Sequence, residues 1–457
     1  MLSLHHQQGK LRRAINLIPT GDGTLGSRPG ATQIVAGEIT SAAPWGNRLL
    51  LEKQSRIVVW DGQETDIAAA GQVLQASPYQ ALTGNGERED RLYVADGSRP
   101  LWYLAYRSGA YATETVVNSV LDAGGTPYPI PIPNTISTWR SRLWIGYREN
   151  RVQHCQNNDP GQWDPLWTVE LQGKKQGRVN AMLPLRDTLA VGLTTSVWGI
   201  AGTSQYNWQR DEMFHDAGTA GPGALAGTLD TLYWLTSTGL FSKDGYLAND
   251  IRDAFAPFLS QAELAIDGRR RLLLCLMNGR LFVMHLDQPG VFGEIDATNA
   301  YGLFTMDDYT GWYGPNGAWV LGSLDSPDRY LDGTDGDFTS VYDTWEETPN
   351  PQGNGRAVLN RIRFVVRGSP RGSASYTSYV DGQAAAATKD FALSNVSVST
   401  WAELLAGTAS GEPWPVPPVH REVAPRRSGR VFRHVIESPV HIEIVQAAPE
   451  YRFGKEE

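Results

Sequence analysis

The sequence predicts an all-β protein, a β-propeller of about seven blades followed by an additional C-terminal β-sandwich-like domain. Three observations predict it. A two-strand phrase returns along most of the chain at intervals of roughly 40 to 50 residues, the period of a propeller blade. Gly and Pro are abundant and long helical patterns are scarce. After Leu331 the strands lengthen and alternate charged with apolar residues.

The phrase is a short apolar strand, a polar turn, and a second apolar strand. Its first halves are Arg48–Leu51, Arg91–Val94, Arg142–Ile145, Thr188–Val191, Thr231–Trp234, Arg271–Leu274 and, weakest, Gly311–Tyr313. The returning halves are Ile57–Trp60, Leu101–Leu104, Val152–Cys155, Val197–Ile200, Leu240–Ser242, Leu281–Met284 and Ala318–Leu321. Each unit has room for two more strands. A four-stranded sheet cannot bury both its faces alone, whereas blades set around an axis bury each face against a neighbour. A series of sandwich domains is the rival reading, but sandwich strands recur every 8 to 12 residues or so without a larger beat. The Gly-His and Trp-Asp signature of one blade family is absent, and Trp163-Asp164, followed by Pro165, reads as a turn.

This organisation gives an opening segment over residues 1–44, a propeller over 45–335 and a β-sandwich-like platform over 338–457. Ile251, Ala254, Phe255, Phe258 and Leu259 suggest one helical excursion over Asn249–Leu264, interrupted by Pro257. Arg361–Val366, Arg430–Ile436 and Val440–Val445 read as platform strands with one wet face, and Pro413–Pro418 as an extended connector. No apolar run is long enough for a membrane span, and Met1–Arg13 lacks the apolar core of a secretion signal. Cys155 and Cys275 read as separate buried thiols. A formal charge of −9 argues against a nucleic-acid clamp.

Asn16-Leu17-Ile18-Pro19, a Gly-rich turn and Arg28-Pro29-Gly30 resemble the opening of the tail nozzle and packaged-DNA stabilisation (tail hub) proteins of short-tailed bacteriophages. Ser141–Gly146, Asn157–Pro165, Ala181–Val191 and Leu232–Phe241 extend the resemblance in order along nearly the whole chain. The resemblance implies a structural protein of the virion tail, made in the bacterial host cytoplasm and assembled into a homo-oligomeric ring, typically of six. Such a ring meets the adaptor protein of the portal complex, closes and conducts the DNA exit channel, and anchors tail fibres or spikes. Double-stranded DNA passes through its lumen without sequence-specific binding, and the acidic balance agrees, since a conduit that neutralised phosphates would hold the genome back. The alternatives are a glycan-acting propeller enzyme and a monomeric propeller interaction scaffold.

Neither catalysis nor a cofactor is expected. Asp307 with Asp308, Glu87 with Glu89 and Asp90, and Glu346 with Glu347 are the carboxylate groups a hydrolase would need, but all read as solvated turns. His5, His6, His154, His215, His285, His420, His434 and His441 lack metal-ligand spacing. Asp332, Asp335 and Asp337 could wrap calcium, yet the loop lacks a bidentate Glu and reads as the turn that ends the propeller.

Two basic clusters remain, Lys10-Arg12-Arg13 and Arg421 with Arg426, Arg427, Arg430 and Arg433. Arg426, Arg427, Arg430 and Arg433 are the subunit-interface candidates, on what reads as one strand with Val431 and Val435, where they would meet a neighbour's carboxylates. Trp401 and Trp414 are candidates for burial between subunits.

Overall fold

A computed structural model describes residues 11–453 apart from 21–23, 68–74, 84–86, 173–176, 216–217, 230, 237–238, 244, 247–261, 278, 290–291, 298, 323–339, 345–356, 369–372, 385–387, 394–418, 426, 430–431 and 440–441. The protein is all-β, and the expected hairpins form the middle of antiparallel four-stranded blades. Leu49 faces Trp60, Trp144 faces His154, Leu189 faces Ile200, Leu274 faces Val283 and Trp312 faces Trp319 across the paired strands. Successive blades occupy 39–67, 75–115, 135–170, 179–214, 225–246 and 262–295, with the seventh begun by 302–321. Blades one to seven below follow that order.

The first strands of consecutive blades lie side by side around the axis, and Gly302–Thr305 of the last meets Ile39–Trp45 of the first, so the ring is closed. Leu49, Leu51, Val58 and Val320 are fully or almost fully buried in the core shared by blades seven and one. Full burial of such a side chain stabilises by about 1.5–3 kcal/mol, and each blade wedge holds a similar apolar set. Two-residue turns do without glycine at Gln54-Ser55 and Arg140-Ser141, where all four residues adopt positive φ of 50–65°.

The opening segment is not a separate unit. Ala31–Val35 supplies the outer strand of blade seven, pairing with Gly317–Leu321, and the expected boundary at residue 45 falls inside the strand Ile39–Trp45. Leu11–Ile15 runs parallel to Phe292–Ile295, the outer strand of blade six, and antiparallel to Ser340–Thr344. One sheet therefore passes from blade six through the N-terminal strand into the C-terminal region. Leu17–Pro19 and Leu25–Ser27 enter a second sheet with Ile442–Phe453 and Ala357–Gly368. The two sheets enclose a sandwich core around Phe364, Val366, Tyr376, Ile436 and Ile444. A local reading of hydrophobic runs cannot assign a strand to a sheet closed by residues hundreds of positions away.

The helical excursion lies outside the described residues, except that Ala262, Glu263 and Leu264 belong to the strand Ala262–Asp267. Alternation wins there because Ala262, Leu264 and Ala265 pack into blade cores. Trp163 is buried, and Asp164 caps a short 3₁₀ turn over Pro165–Trp167 by accepting from Leu166 N–H at 2.9 Å. Cys155 and Cys275 are buried free thiols, and burial pushes the Cys155 thiol up to about 12.

Candidate functional site at the domain junction

The phrase Asn16–Pro19 and Arg28–Gly30 sits where the propeller meets the platform. Asn16 adopts φ 54°, turning the chain from the first platform sheet towards the second. Its backbone N–H donates to the Glu294 carbonyl of blade six at 2.6 Å, and its Oδ1 accepts from Asp296 N–H at 3.1 Å. Arg28 is 3% exposed. Its Nε donates to Asn16 Oδ1 at 2.9 Å, its Nη1 to the Pro29 carbonyl at 2.8 Å, and its backbone N–H to the Asn16 carbonyl at 2.9 Å. Asn16 accepts both bonds from Arg28, so the turn and the arginine hold one another. Such charge-assisted bonds offset the cost of burying a guanidinium.

Ser27 completes the joint, lying 2.9 Å from the Ser340 hydroxyl and accepting from Ile442 N–H at 3.0 Å. Gly322 N–H, at the end of blade seven, donates to the Gly30 carbonyl at 2.6 Å. At Gly293, in the outer strand of blade six, a Cβ would lie 1.8 Å from the Leu17 carbonyl, so only glycine lets the platform strand approach. The arrangement can carry load between domains.

The interface candidates divide. Arg426 and Arg430 lie outside the described residues, as does Val431. Arg427 belongs to Arg427–Gly429, which pairs with Ala357–Leu359 in one sheet, whereas Arg433 belongs to Phe432–Ser438 in the other. The expectation of one strand carrying the whole cluster is therefore corrected: the chain changes sheets between them. Arg433 makes bonds of 2.6 and 2.7 Å to the two carboxylate oxygens of Asp343, and its guanidinium lies 4.7 Å from the Tyr379 ring centroid. That carboxylate belongs to its own chain rather than a neighbour. Arg421 donates to the Ala392 carbonyl at 2.5 Å. Arg12 and Arg13 lie in the strand Leu11–Ile15, and Lys10 falls outside the described residues, with Trp401, Trp414 and the Pro413–Pro418 connector.

Among the carboxylates, Asp307 and Asp308 occupy the turn between Gly302–Thr305 and Thr310–Gly314. Asp308 accepts from Asn47 at 2.9 Å and Arg269 at 2.7 Å. Glu89 and Asp90 correct the solvated-turn reading, because both lie in the strand Arg88–Ala95. Arg107 and Arg91 hold the Glu89 carboxyl down at about 2. Glu346, Glu347, the Asp332–Asp337 loop, His5, His6 and His441 lie outside the described residues. His154, His285 and His434 are buried, His215 and His420 exposed. Among the described residues no three His, Cys, Asp or Glu side chains gather as a metal site would require.

Sequence reasoning missed a carboxyl at the propeller seam. Glu263 of blade six accepts from Leu303 N–H at 2.6 Å and from the Tyr313 hydroxyl, both of blade seven, while Ala42 N–H of blade one donates to that hydroxyl. Burial pushes Glu263 up to about 7. The side chain sits near the start of the strand Ala262–Asp267, and nothing local marks it as a link across three blades.

No family model and no curated protein matches the chain. Solved structures similar to parts of it include the computationally designed Ika8 protein, 14% identical over 63% of this chain and 98% of that one, TM-score 0.39. BamB from Moraxella catarrhalis is 12% identical over 64% and 92%, TM-score 0.37. The Pan2 WD40 domain of Neurospora crassa is 10% identical over 66% and 99%, TM-score 0.43.

Proposed function

We propose that the chain is a structural subunit of a bacteriophage tail nozzle, a homohexameric ring that closes the DNA exit channel, retains the packaged genome and conducts it on ejection. One observation carries the reading: the opening phrase that resembles those proteins is the device that locks propeller and platform together. A ring subunit under load needs that rigidity. The platform builds the ring and faces the adaptor of the portal complex, while the propeller stands outside and takes tail fibres or spikes.

The propeller axis is not the conduit. Gln75 Nε2 of blade two donates to the Pro222 carbonyl, between blades four and five, at 2.6 Å, so a single hydrogen bond spans the axis. Duplex DNA therefore passes between subunits, without sequence-specific contacts, consistent with the acidic balance. The role is non-enzymatic, with no cofactor; of the carboxylates that a glycan hydrolase would use, Asp308 is engaged by Asn47 and Arg269, and Glu89 by Arg91 and Arg107. Electron micrographs of the purified chain, alone and mixed with the portal and its adaptor, test the reading. Six-fold rings capping the adaptor support it, and particles that never engage the adaptor count against it.

A further inference from the structure

The turn Trp139–Arg142 joins the first two strands of blade three and faces blade four. Its carbonyls are taken: Trp139 O accepts from Trp144 Nε1 at 3.3 Å, Arg140 O from Arg142 Nη1 at 3.2 Å, and Ser141 O from Tyr79 Oη and Asn158 N–H, both at 2.9 Å. Its donors are not. Trp139 Nε1, Arg140 Nε and Arg142 Nε are all buried without an acceptor. Orphan donors occur elsewhere among the described residues, singly at Trp234 and as a pair at Arg99 and Trp102, but three on one four-residue turn leave a larger local surplus of N–H over oxygen.

Charge sharpens the imbalance. Arg142 is 7% exposed and has no carboxylate partner among the described residues; its guanidinium carbon lies 5.6 Å from the Trp208 ring centroid. Arg140 lies 5.0 Å from the Trp139 centroid and among the described residues meets one carboxylate, the exposed Asp187, at 3.3 Å. The two indoles are themselves 5.6 Å apart, and Arg142 Nη1 donates to the Arg140 carbonyl at 3.2 Å, so both arginines belong to one turn against one indole pair. A buried guanidinium offset by an aromatic face and one carbonyl is under-compensated, because desolvating a charge costs several kcal/mol or more. Asp159, on the adjoining loop, accepts from Gly161 N–H at 2.9 Å.

We propose that this turn, at the seam of blades three and four, is an oxyanion-binding site that takes a carboxylate or phosphate group on Arg142, Arg140 and the Trp139 indole N–H. An oxyanion supplies the acceptors that the turn lacks and the charge that Arg142 lacks. The adjoining indoles make binding visible, since Trp139 and Trp208 lie against the two cations.

The test uses the full chain at pH 7, with inorganic phosphate or acetate exchanged for chloride at constant ionic strength, read by tryptophan fluorescence and melting temperature. The expected result is a saturable fluorescence change with a parallel rise in melting temperature. R142Q weakens it by about tenfold or more, the scale of a lost charged hydrogen bond, R140Q weakens it less, and R56Q, on an exposed arginine of blade one, leaves it unchanged. Response to phosphate alone points to a phosphate ligand, and response to acetate as well to an acidic side chain. Should R142Q fail to fold, R140Q carries the test, because Arg140 lies at the surface of the turn. A response that never saturates, or one that R140Q and R142Q leave as in the parent chain, overturns the site.

Discussion

Arg28 Nε donates to Asn16 Oδ1 at 2.9 Å, and Asn16 N–H donates in turn to Glu294 O of blade six at 2.6 Å. A buried arginine of the platform segment is thus one residue removed from the propeller backbone. Replacing Arg28 with Ala leaves Asn16 Oδ1 short of a donor and costs about 2–4 kcal/mol. Gly293→Ala forces the Leu17 carbonyl away from blade six and costs about as much. Both variants are expected to expose the 16–30 region to limited proteolysis while the blades stay protected; uniform cleavage through the blades would show that the joint is not the weak point.

How much of this was legible is clearest from the repeats. Leu49, Leu143, Leu189 and Leu272 marked second strands of blades, because apolar runs bounded by polar turns are a local signal. Ala31–Val35 was not legible as the strand that closes blade seven, since its partner, Gly317–Leu321, lies nearly 300 residues away in order-of-magnitude terms. The Arg28 phrase was visible as a motif, but its task rests on Asn16 at positive φ and on Glu294, which no local pattern joins. Arg433 looked available to a neighbour because Asp343 lies 90 residues away in sequence.

The Arg433–Asp343 pair makes its own prediction. R433E places two carboxylates together in a partly buried site and lowers platform stability, while the double variant R433E/D343R recovers part of the loss, with a coupling of about 1–3 kcal/mol. Urea denaturation of the four proteins measures it. A ring that fails to close although R433E is fully stable would return Arg433 to the subunit interface.

Glu263 gives the propeller seam a pH dependence. Its folded value near 7 lies above the ordinary 4.5, so its contribution to stability is fully present below about pH 4.5 and is lost as pH rises through 7. The loss is about 2 kcal/mol, less than complete burial would give because part of the side chain reaches solvent. Glu263→Gln keeps an acceptor for Leu303 N–H and removes the charge, so stability between pH 5 and about 8 should flatten. An unchanged slope in the variant would place the titration elsewhere.

His154 and His434 act in the opposite direction. His154 accepts from Trp208 Nε1 at 3.0 Å, His434 lies between the Tyr376 and Tyr451 hydroxyls at 2.9 and 3.0 Å, and burial depresses each to about 4 from 6.5. Stability from both is present above pH 6.5 and is lost as pH falls through 4, by about 3 kcal/mol each. Denaturation curves at pH 7 and 4.5 should differ more in the parent chain than in His434→Gln. Equal differences would show that His434 accepts its proton without cost.

The central claim is that this rigid two-domain body builds a ring, and the mass of the purified full-length chain in solution tests it most directly. The account predicts a six-subunit species of about 300 kDa, from a 50.2 kDa chain, populated as concentration rises. A chain that remains a monomer at every concentration, with and without the portal adaptor, would contradict it.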